Sequence, residues 1–332
     1  MKTIFKKAVS ILLRVGVSVA LLVFLFRMVD KKNLFEIITH SNKPLLAAAF
    51  FTMLSTYVLC IFRWDMLLKA AEIHLPLSRV IISTAGGFFF NLFLPSTIGG
   101  DLVRSIDLAV HTKKTHEVVA TVLLDRLSGF IGLVIVALLA VLFGWDFVRD
   151  NPAALLSVAI IAAILVVVLL VLFNSLLYSK INKLLHSPQA GRIREFIKDL
   201  HQEMHIFRHH KAIVVSNIMI SVLVQVIGPV TFYIIALSLG IKINIFYFFV
   251  FIPIIGAITL LPISLGGLGL RDATTIFFFA KAGVGKDLAF AMSLVSFFFI
   301  VILGAMGGII YALTLRHRRI QYHKPHQVHL HS

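Results

Sequence analysis

Two arginines follow paired glycines at the same spacing in two distant parts of the chain, at Arg104 and Arg271. Each closes a ten-residue segment, 95–104 or 262–271, that reads proline, three residues, two glycines, three residues, arginine. A guanidinium group is a planar fork of hydrogen-bond donors that suits phosphate and carboxylate oxygens. The chemistry that these residue types offer is therefore the binding of an anion, with phosphate as the natural guest.

The other residues of each segment predict a helix break that presents the arginine. Proline ends the incoming helix because it has no amide hydrogen, and paired glycines permit a tight turn and close backbone approach. A new helix can then start, and its free amides favour an anion. We predict breaks or hinges at six residues: Pro95, Gly99, Gly100, Pro262, Gly266 and Gly267.

A neighbouring acidic and basic pair, Asp125 and Arg126, lies in an apolar stretch between the two segments. Adjacent positions on a helix point about 100° apart, so the two side chains should reach different partners. We expect Asp125 to meet Arg104 or Arg63. We expect Arg126 to meet Asp101.

Two polar residues flank the first break. Asp101 is placed to cap a helix that begins at Leu102, and Asn91 either lines the site or bonds a carbonyl group freed at the break. The whole set of candidate binding residues is Arg63, Asn91, Asp101, Arg104, Asp125, Arg126, Arg271 and Asp272.

An alternative is that the arginines only pair locally. Arg104 would then pair with Asp101 or Asp107, Arg271 would pair with Asp272, and the glycines would serve helix packing. A charged side chain at the centre of a bilayer costs about 2.5–3.5 kcal/mol. The six charged residues in and between the segments would together cost about 15–20 kcal/mol in lipid, so they must face a polar cavity or one another.

Composition predicts a membrane setting for these charges. Hydrophobic residues make up 59% of the 332 and charged residues 14%, against averages of about 45–50% and about 25% in soluble proteins. Six apolar runs are long enough to cross a bilayer: 8–26, 44–62, 127–143, 153–173, 212–239 and 288–315. No cleavage site follows the first run, which we expect to be retained. Two more runs, 80–98 and 243–270, contain the repeated segments.

The distribution of basic residues predicts how these runs are threaded. The net charge of +16 resides mostly between apolar runs, where it indicates orientation and contact with lipid headgroups rather than nucleic acid. If run 80–98 crossed alone, the strongly basic stretch 174–211 would face outward, against the positive-inside rule. We therefore predict an all-α polytopic membrane protein with about six full crossings, both termini cytoplasmic, and two re-entrant hairpins. The hairpins enter from opposite faces, as in an inverted repeat.

The predicted membrane domain covers residues 1–315, and a basic, histidine-rich tail covers 316–332. Residues 191–211 have the pattern of an amphipathic helix at the cytoplasmic surface. His201, His205 and His209 recur there every four residues, but on a basic surface helix we expect them to be solvated. We predict no metal and no cofactor. The single cysteine, Cys60, cannot form an intramolecular disulfide.

The first segment with Asn91, the Asp125-Arg126 pair and the second segment together resemble the flippase-like transmembrane region of lysylphosphatidylglycerol synthases. That region also occurs as a stand-alone membrane protein and fused to glycosyltransferases. The resemblance covers essentially the whole chain. One departure is Arg271-Asp272, where the family commonly has Arg-Glu. The synthases carry a soluble aminoacyl-transfer domain that this sequence has no room for, and it has no P-loop, so we expect no enzymatic activity.

The resemblance implies a flippase or scramblase of the bacterial inner membrane that moves a phospholipid or another lipid. The candidate residues would then bind an anionic or zwitterionic headgroup, mainly at the first segment, with the second as a gate or counter-site. Two alternatives stay open: an accessory subunit that presents lipid to a synthase or glycosyltransferase, and a small-solute secondary transporter. Coupling to an ion gradient would use Asp101, Asp125 or Asp272 as proton carriers.

Overall fold

A computed structural model describes residues 31–94, 99–112, 114–173, 211–260, 264 and 266–322, with single positions of the N-terminal segment at 16, 19–21, 23–25 and 27. Throughout these ranges the regular structure is helical. In chain order the helices are α1 Lys31–Thr39, α2 Lys43–Ala70, α3 Leu77–Asn91, α4 Gly99–Thr112, α5 Thr115–Phe143, α6 Trp145–Val148, α7 Pro152–Phe173, α8 Lys211–Ser238, α9 Ile245–Thr259, α10 Leu270–Ala280 and α11 Lys286–Tyr322.

Five of these helices, α2, α5, α7, α8 and α11, are long and apolar enough to cross a membrane. They correspond to five of the six predicted crossings, and the chain is an all-α, multi-pass membrane protein. The sixth predicted crossing, 8–26, falls largely outside the described residues. So do most of the amphipathic segment 191–211, with its three histidines, and the tail beyond Tyr322.

Helix α5 begins much earlier than the apolar run 127–143 suggested. It starts at Thr115 and is 29 residues long, so Asp125 and Arg126 lie well inside the helix rather than at its N-terminal end. Asp125 is about 15 Å along the helix axis from Thr115. The two charges interrupt the apolar pattern but not the helix, because each has partners on neighbouring helices.

Each repeated segment lies in a hairpin of two short helices, as predicted. Helices α3 and α4 have 15 and 14 residues, and α9 and α10 have 15 and 11. None exceeds about 23 Å at 1.5 Å per residue, whereas the hydrocarbon core is about 30 Å thick. These lengths suit helices that enter and return. Pro95 and Pro262 fall outside the described residues.

The first hairpin is closed by glycine-to-glycine contact. A Cβ added at Gly100 would lie 2.0 Å from the carbonyl oxygen of Gly87, and one added at Gly87 would lie 2.9 Å from the carbonyl oxygen of Gly100. Helices α3 and α4 therefore touch through their backbones, as small residues allow in membranes. The hairpin tips also meet each other, since a Cβ on Gly266 would lie 3.5 Å from the carbonyl oxygen of Asn91.

The repeat extends well beyond the ten-residue segments. Helices α2 and α8 are each followed by a helix of 15 residues, α3 and α9. Ala70 and Ser238 end the long helices and Leu77 and Ile245 begin the short ones, so both pairs are offset by 168 residues (238 − 70 and 245 − 77). Helices α2–α5 and α8–α11 are thus two copies of one four-helix unit.

The ends of the two long helices match in detail. After α2, the amide of Ile73 donates to the carbonyl oxygen of Leu68, and after α8, Ile241 donates to Ala236, both at 2.9 Å. A residue with positive φ precedes each donor: Glu72 at 55° and Gly240 at 78°. This is the Schellman way of ending a helix, and it occurs at equivalent positions.

The two copies are inverted. The amide of Asn42, before α2, donates to the carbonyl oxygen of Ser238, at the end of α8, at 2.8 Å. Further along, Asn217 Nδ2 donates to the carbonyl oxygen of Arg63 at 2.9 Å. These contacts make α2 and α8 antiparallel and set the midpoint of α2 opposite its own counterpart. A local two-fold axis therefore passes between them, and the hairpins point in opposite directions.

We expect Gly100→Ala to destabilise the protein, because its Cβ would force α3 and α4 apart. Overpacking of this kind costs about 1–3 kcal/mol. Gly228→Ala in α8 is the matched control, since a Cβ there meets nothing within 4 Å and alanine favours a helix. Thermal unfolding in detergent micelles measures both. Equal midpoints for the two variants would contradict the close contact.

Candidate functional site

A cavity of about 340 Å³ lies between both hairpins and three crossing helices. It is bounded by α2, α3, α4, α5, α8 and α9. Its lining consists of Cys60, Arg63, Thr84, Gly87, Phe88, Asn91, Asp101, Arg104, Asp125, Arg126, Gly129, Phe130, Leu133, Val224, Gln225, Ile252, Pro253, Gly256 and Leu260. Six of the eight candidate binding residues are among them.

The carboxylate of Asp125 joins three helices at this cavity. Arg63 Nε, from α2, donates to its Oδ1 at 2.6 Å, and Arg104 Nη2, from α4, donates to its Oδ2 at 2.8 Å. Asp125 is only 3% exposed. Arg63 and Arg104 were expected as alternative partners of Asp125, and the structure shows both.

Asp101 forms the second half of the network. Its Oδ2 accepts a short hydrogen bond from Arg126 Nε, which is the predicted pair. Its Oδ1 lies 3.1 Å from Arg104 Nε, close enough for an ion pair but not aligned for a hydrogen bond. Part of the local pairing alternative is therefore also present. Asp107 instead pairs with Arg79 at 2.8 Å.

Charges of opposite sign alternate along this chain of contacts, which runs Arg63, Asp125, Arg104, Asp101, Arg126. Three arginines and two aspartates give the charged lining a formal charge of +1 (3 − 2). Arg126 is the most accessible member, with its side chain 32% exposed, whereas the others are at most 10% exposed. An anion that enters the cavity would therefore find a net positive wall.

Arg104 is further held by an aromatic ring. Its guanidinium carbon lies 4.6 Å from the ring centroid of Trp64, a distance at which a cation is attracted to the ring face. Trp64 is fully buried, and its indole nitrogen donates to Thr121 Oγ1 at 3.1 Å. The ring thus helps to hold the guanidinium in place. Trp64 was not among the predicted site residues, although it directly follows Arg63.

A row of polar side chains on α8 makes hydrogen bonds to the helices that hold the network. Asn217, Ser221 and Gln225 recur every four residues and so share one face of the helix. Ser221 Oγ accepts from Arg63 Nη1 at 3.2 Å, and Gln225 Nε2 donates to the carbonyl oxygen of Gly129 at 3.2 Å. These three residues were not predicted, although polar residues at this spacing in an otherwise apolar helix indicate a buried polar face.

Asn91 lines the cavity, which is the first of its two predicted roles, and it also bonds the backbone. The backbone group is an amide, not the expected carbonyl: Gly100 N donates to Asn91 Oδ1 at 2.8 Å. The prediction that Asp101 caps a helix starting at Leu102 was wrong, because the chain is already helical at Gly99 and Gly100. Asn91 accepts the hydrogen bond of the Gly100 amide. Asp101 lies in the first turn, where its negative charge still interacts favourably with the helix dipole.

The second segment forms a separate and more closed cluster. Arg271 Nη2 lies 3.3 Å from Asp272 Oδ1, as the local pairing alternative expected, and Arg271 Nε donates to Ser293 Oγ at 3.3 Å. Asp272 is fully buried, and its Oδ2 accepts from the amide of Gly269 at 2.9 Å at the start of α10. Gly266 and Gly267 form the predicted turn, both with positive φ.

Neither Arg271 nor Asp272 lines the cavity. The candidate residues of the first segment thus come together with Arg63 and the Asp125-Arg126 pair, while those of the second segment do not join them. The two copies share a hairpin but differ in what their arginines face.

We expect Asp125→Asn to lower the free energy of unfolding by about 3–5 kcal/mol, because it leaves Arg63 and Arg104 without their shared counter-charge. Asp146→Asn is the matched control. Asp146 is an 81% exposed partner of Arg149, and exposed pairs contribute about 0–1 kcal/mol. Chemical denaturation in micelles compares the two. A loss for Asp125→Asn no larger than for the control would show that the network is not structural.

Comparison with known proteins places this architecture. The curated relative UPF0104 membrane protein PH1989 of Pyrococcus horikoshii is 25% identical over 302 residues, which cover 81% of this chain and 88% of the relative. Residues 11–308 match the model of a protein family described as the lysylphosphatidylglycerol synthase TM region. That match takes in both hairpins and every residue of the charged network, so the chain belongs to the lysylphosphatidylglycerol synthase transmembrane family.

Proposed function

We propose that the protein moves lipids between the leaflets of a bacterial cytoplasmic membrane, as a flippase or scramblase. The observation that carries the proposal is the charged network of Arg63, Asp125, Arg104, Asp101 and Arg126 on the wall of a cavity inside an apolar helical bundle. Ionisable residues inside a membrane mark the route of a polar substrate. A lipid headgroup is such a substrate.

The charges of the network favour a phosphate-bearing headgroup. A phosphodiester carries one negative charge, which would bring the lining from +1 to neutral. Arg126, the most exposed arginine, would contact the phosphate first, and the more buried Arg104 is paired with Asp101. Guanidinium groups bind phosphate oxygens in bidentate fashion. The aspartates could receive the amine of a zwitterionic headgroup, so both anionic and zwitterionic phospholipids fit.

The inverted repeat supports movement rather than simple binding. Transporters built from inverted repeats expose a site alternately to the two sides when one repeat rocks against the other. Here the site lies beside the contact between the two hairpin tips at Asn91 and Gly266. Rocking of the copies about their local two-fold axis would change access to the cavity. No covalent step is part of this proposal.

Reconstitution into liposomes tests the proposal. We expect purified protein to expose fluorescent phosphatidylglycerol of the inner leaflet to a membrane-impermeant reductant, which in protein-free vesicles reaches only the outer leaflet. Repeating the assay with an imposed pH gradient separates passive from proton-coupled movement. Binding of the lipid without movement would contradict translocation and would favour an accessory subunit that presents lipid to an enzyme.

We expect Arg104→Gln to slow translocation about 10- to 100-fold, since a hydrogen bond to a charged group contributes about 1.5–3 kcal/mol. Arg104→Lys should keep the charge but lose the planar fork, and so give an intermediate rate. Rates are measured in the liposome assay at matched protein content.

Arg79→Gln is the matched control for these rates. Arg79 is also buried and paired, with Asp107, but it does not line the cavity. An equal loss of rate in both variants would mean that Arg104 acts through stability alone.

A further inference from the structure

A second space, of about 440 Å³, lies between α5, α7 and α9. Its lining is Leu127, Phe130, Val134, Ser157, Ile160, Ile161, Ile164, Leu165, Val168, Ile254, Ala257, Ile258 and Leu260; we call it the apolar groove. Ser157 is the single polar side chain in this lining, and its hydroxyl already donates to the carbonyl oxygen of Ala153 at 2.7 Å. The groove therefore offers a guest no free side-chain hydrogen-bond donor, and its lining suits hydrocarbon.

The groove is open toward the bilayer along α7. Ile160 and Ile164 on its wall are 49% and 59% exposed. Helix α7 has a mean hydropathy of 3.2, the highest of the five described crossings. Water needs two to four polar partners and would find too few in this lining, whereas hydrocarbon of the surrounding membrane is adjacent.

The apolar groove shares a wall with the charged cavity. Phe130 and Leu260 line both spaces. Phe130 follows Arg126 by four residues on α5, so the two side chains lie on one face, one turn apart. Leu260 lies at the end of α9. A molecule with a charged end beside Arg126 would thus have the groove next to it.

We propose that the apolar groove holds an acyl chain of the same lipid whose headgroup occupies the charged cavity, with Phe130 and Leu260 as the boundary between them. This inference rests on the headgroup site of the proposed function. A phospholipid joins one polar end to apolar chains, and the two adjoining spaces have the same division. The lateral route of the lipid then runs between α5, α7 and α9.

The groove would guide the chain without holding it tightly. Lipid tails are as apolar as the leucine and isoleucine side chains that line the groove, so exchange between bilayer and groove involves little hydrophobic driving force. Selection among lipids would then come from the charged cavity. Weak chain binding is what a route requires, because the chain must leave again once the headgroup has moved.

Photolabelling tests the groove independently of transport. The full chain is reconstituted in phosphatidylcholine vesicles with phosphatidylglycerol that carries a diazirine on one acyl chain, and labelled residues are mapped by mass spectrometry. We expect Ile164 to be labelled severalfold more than Val166. Val166 is the internal reference, because it is 53% exposed on the same helix and does not line the groove.

Two variants connect the label to the headgroup site. Gly256→Phe should fill the charged cavity without removing a charge, since a Cβ at Gly256 meets nothing within 4 Å. It should abolish the excess label at Ile164. Ala257→Trp should narrow the groove and reduce both the label and the translocation rate, whereas Val166→Trp should change neither.

The outcomes separate this inference from the proposed function. Excess label at Ile164 that depends on an open charged cavity, in a protein that moves no lipid, would support the groove and contradict translocation. Equal labelling of Ile164 and Val166, unaffected by Gly256→Phe, would overturn the groove as a chain site. In that case the probe would report contact with bulk lipid only, even in a protein that translocates.

Discussion

The carboxylate of Asp125 is the interaction on which the rest of the first repeat depends. It holds an arginine from a crossing helix and another from the re-entrant hairpin, so three helices meet at a single charge inside an apolar bundle. Helix packing in lipid has no hydrophobic driving force of its own. Polar contacts of this kind, together with the glycine contact at Gly100, therefore do much to set how the hairpin lies against α2 and α5.

The two repeats have the same backbone plan and different chemistry. Both long helices end in the same way, but the second hairpin turns at Gly266 and Gly267, whereas Gly99 and Gly100 already belong to helix α4 of the first. The charged residues are nevertheless concentrated in the first copy. Arg63, for example, lies about 10 Å along helix α2 from the local two-fold axis. In the second copy Arg271 and Asp272 are occupied by each other, by Ser293 and by the start of α10. An approximately symmetric frame thus holds an asymmetric site.

Much of this could be predicted because charge is so costly in lipid. The pairs Asp125–Arg104, Asp125–Arg63 and Arg126–Asp101 follow from the need of each buried charge for a partner. Chain positions alone could not say that Arg271 lies apart from the cavity, since that depends on how the two copies dock. The capping role predicted for Asp101 was wrong because the Gly100 amide at the start of α4 donates to Asn91, on the preceding helix of the hairpin. The apolar groove was also beyond prediction, because periodicity does not tell which faces of α7 remain uncovered.

The contact between the hairpin tips has a mechanical consequence. Gly266 lies against the backbone at Asn91, and Asn91 in turn holds the first residues of α4 through the amide of Gly100. The tips of the two hairpins are therefore in contact. One hairpin can move further toward the centre of the bundle only if the other moves back. If the copies rock as proposed, such mutual exclusion would limit the leakage of ions through the bundle.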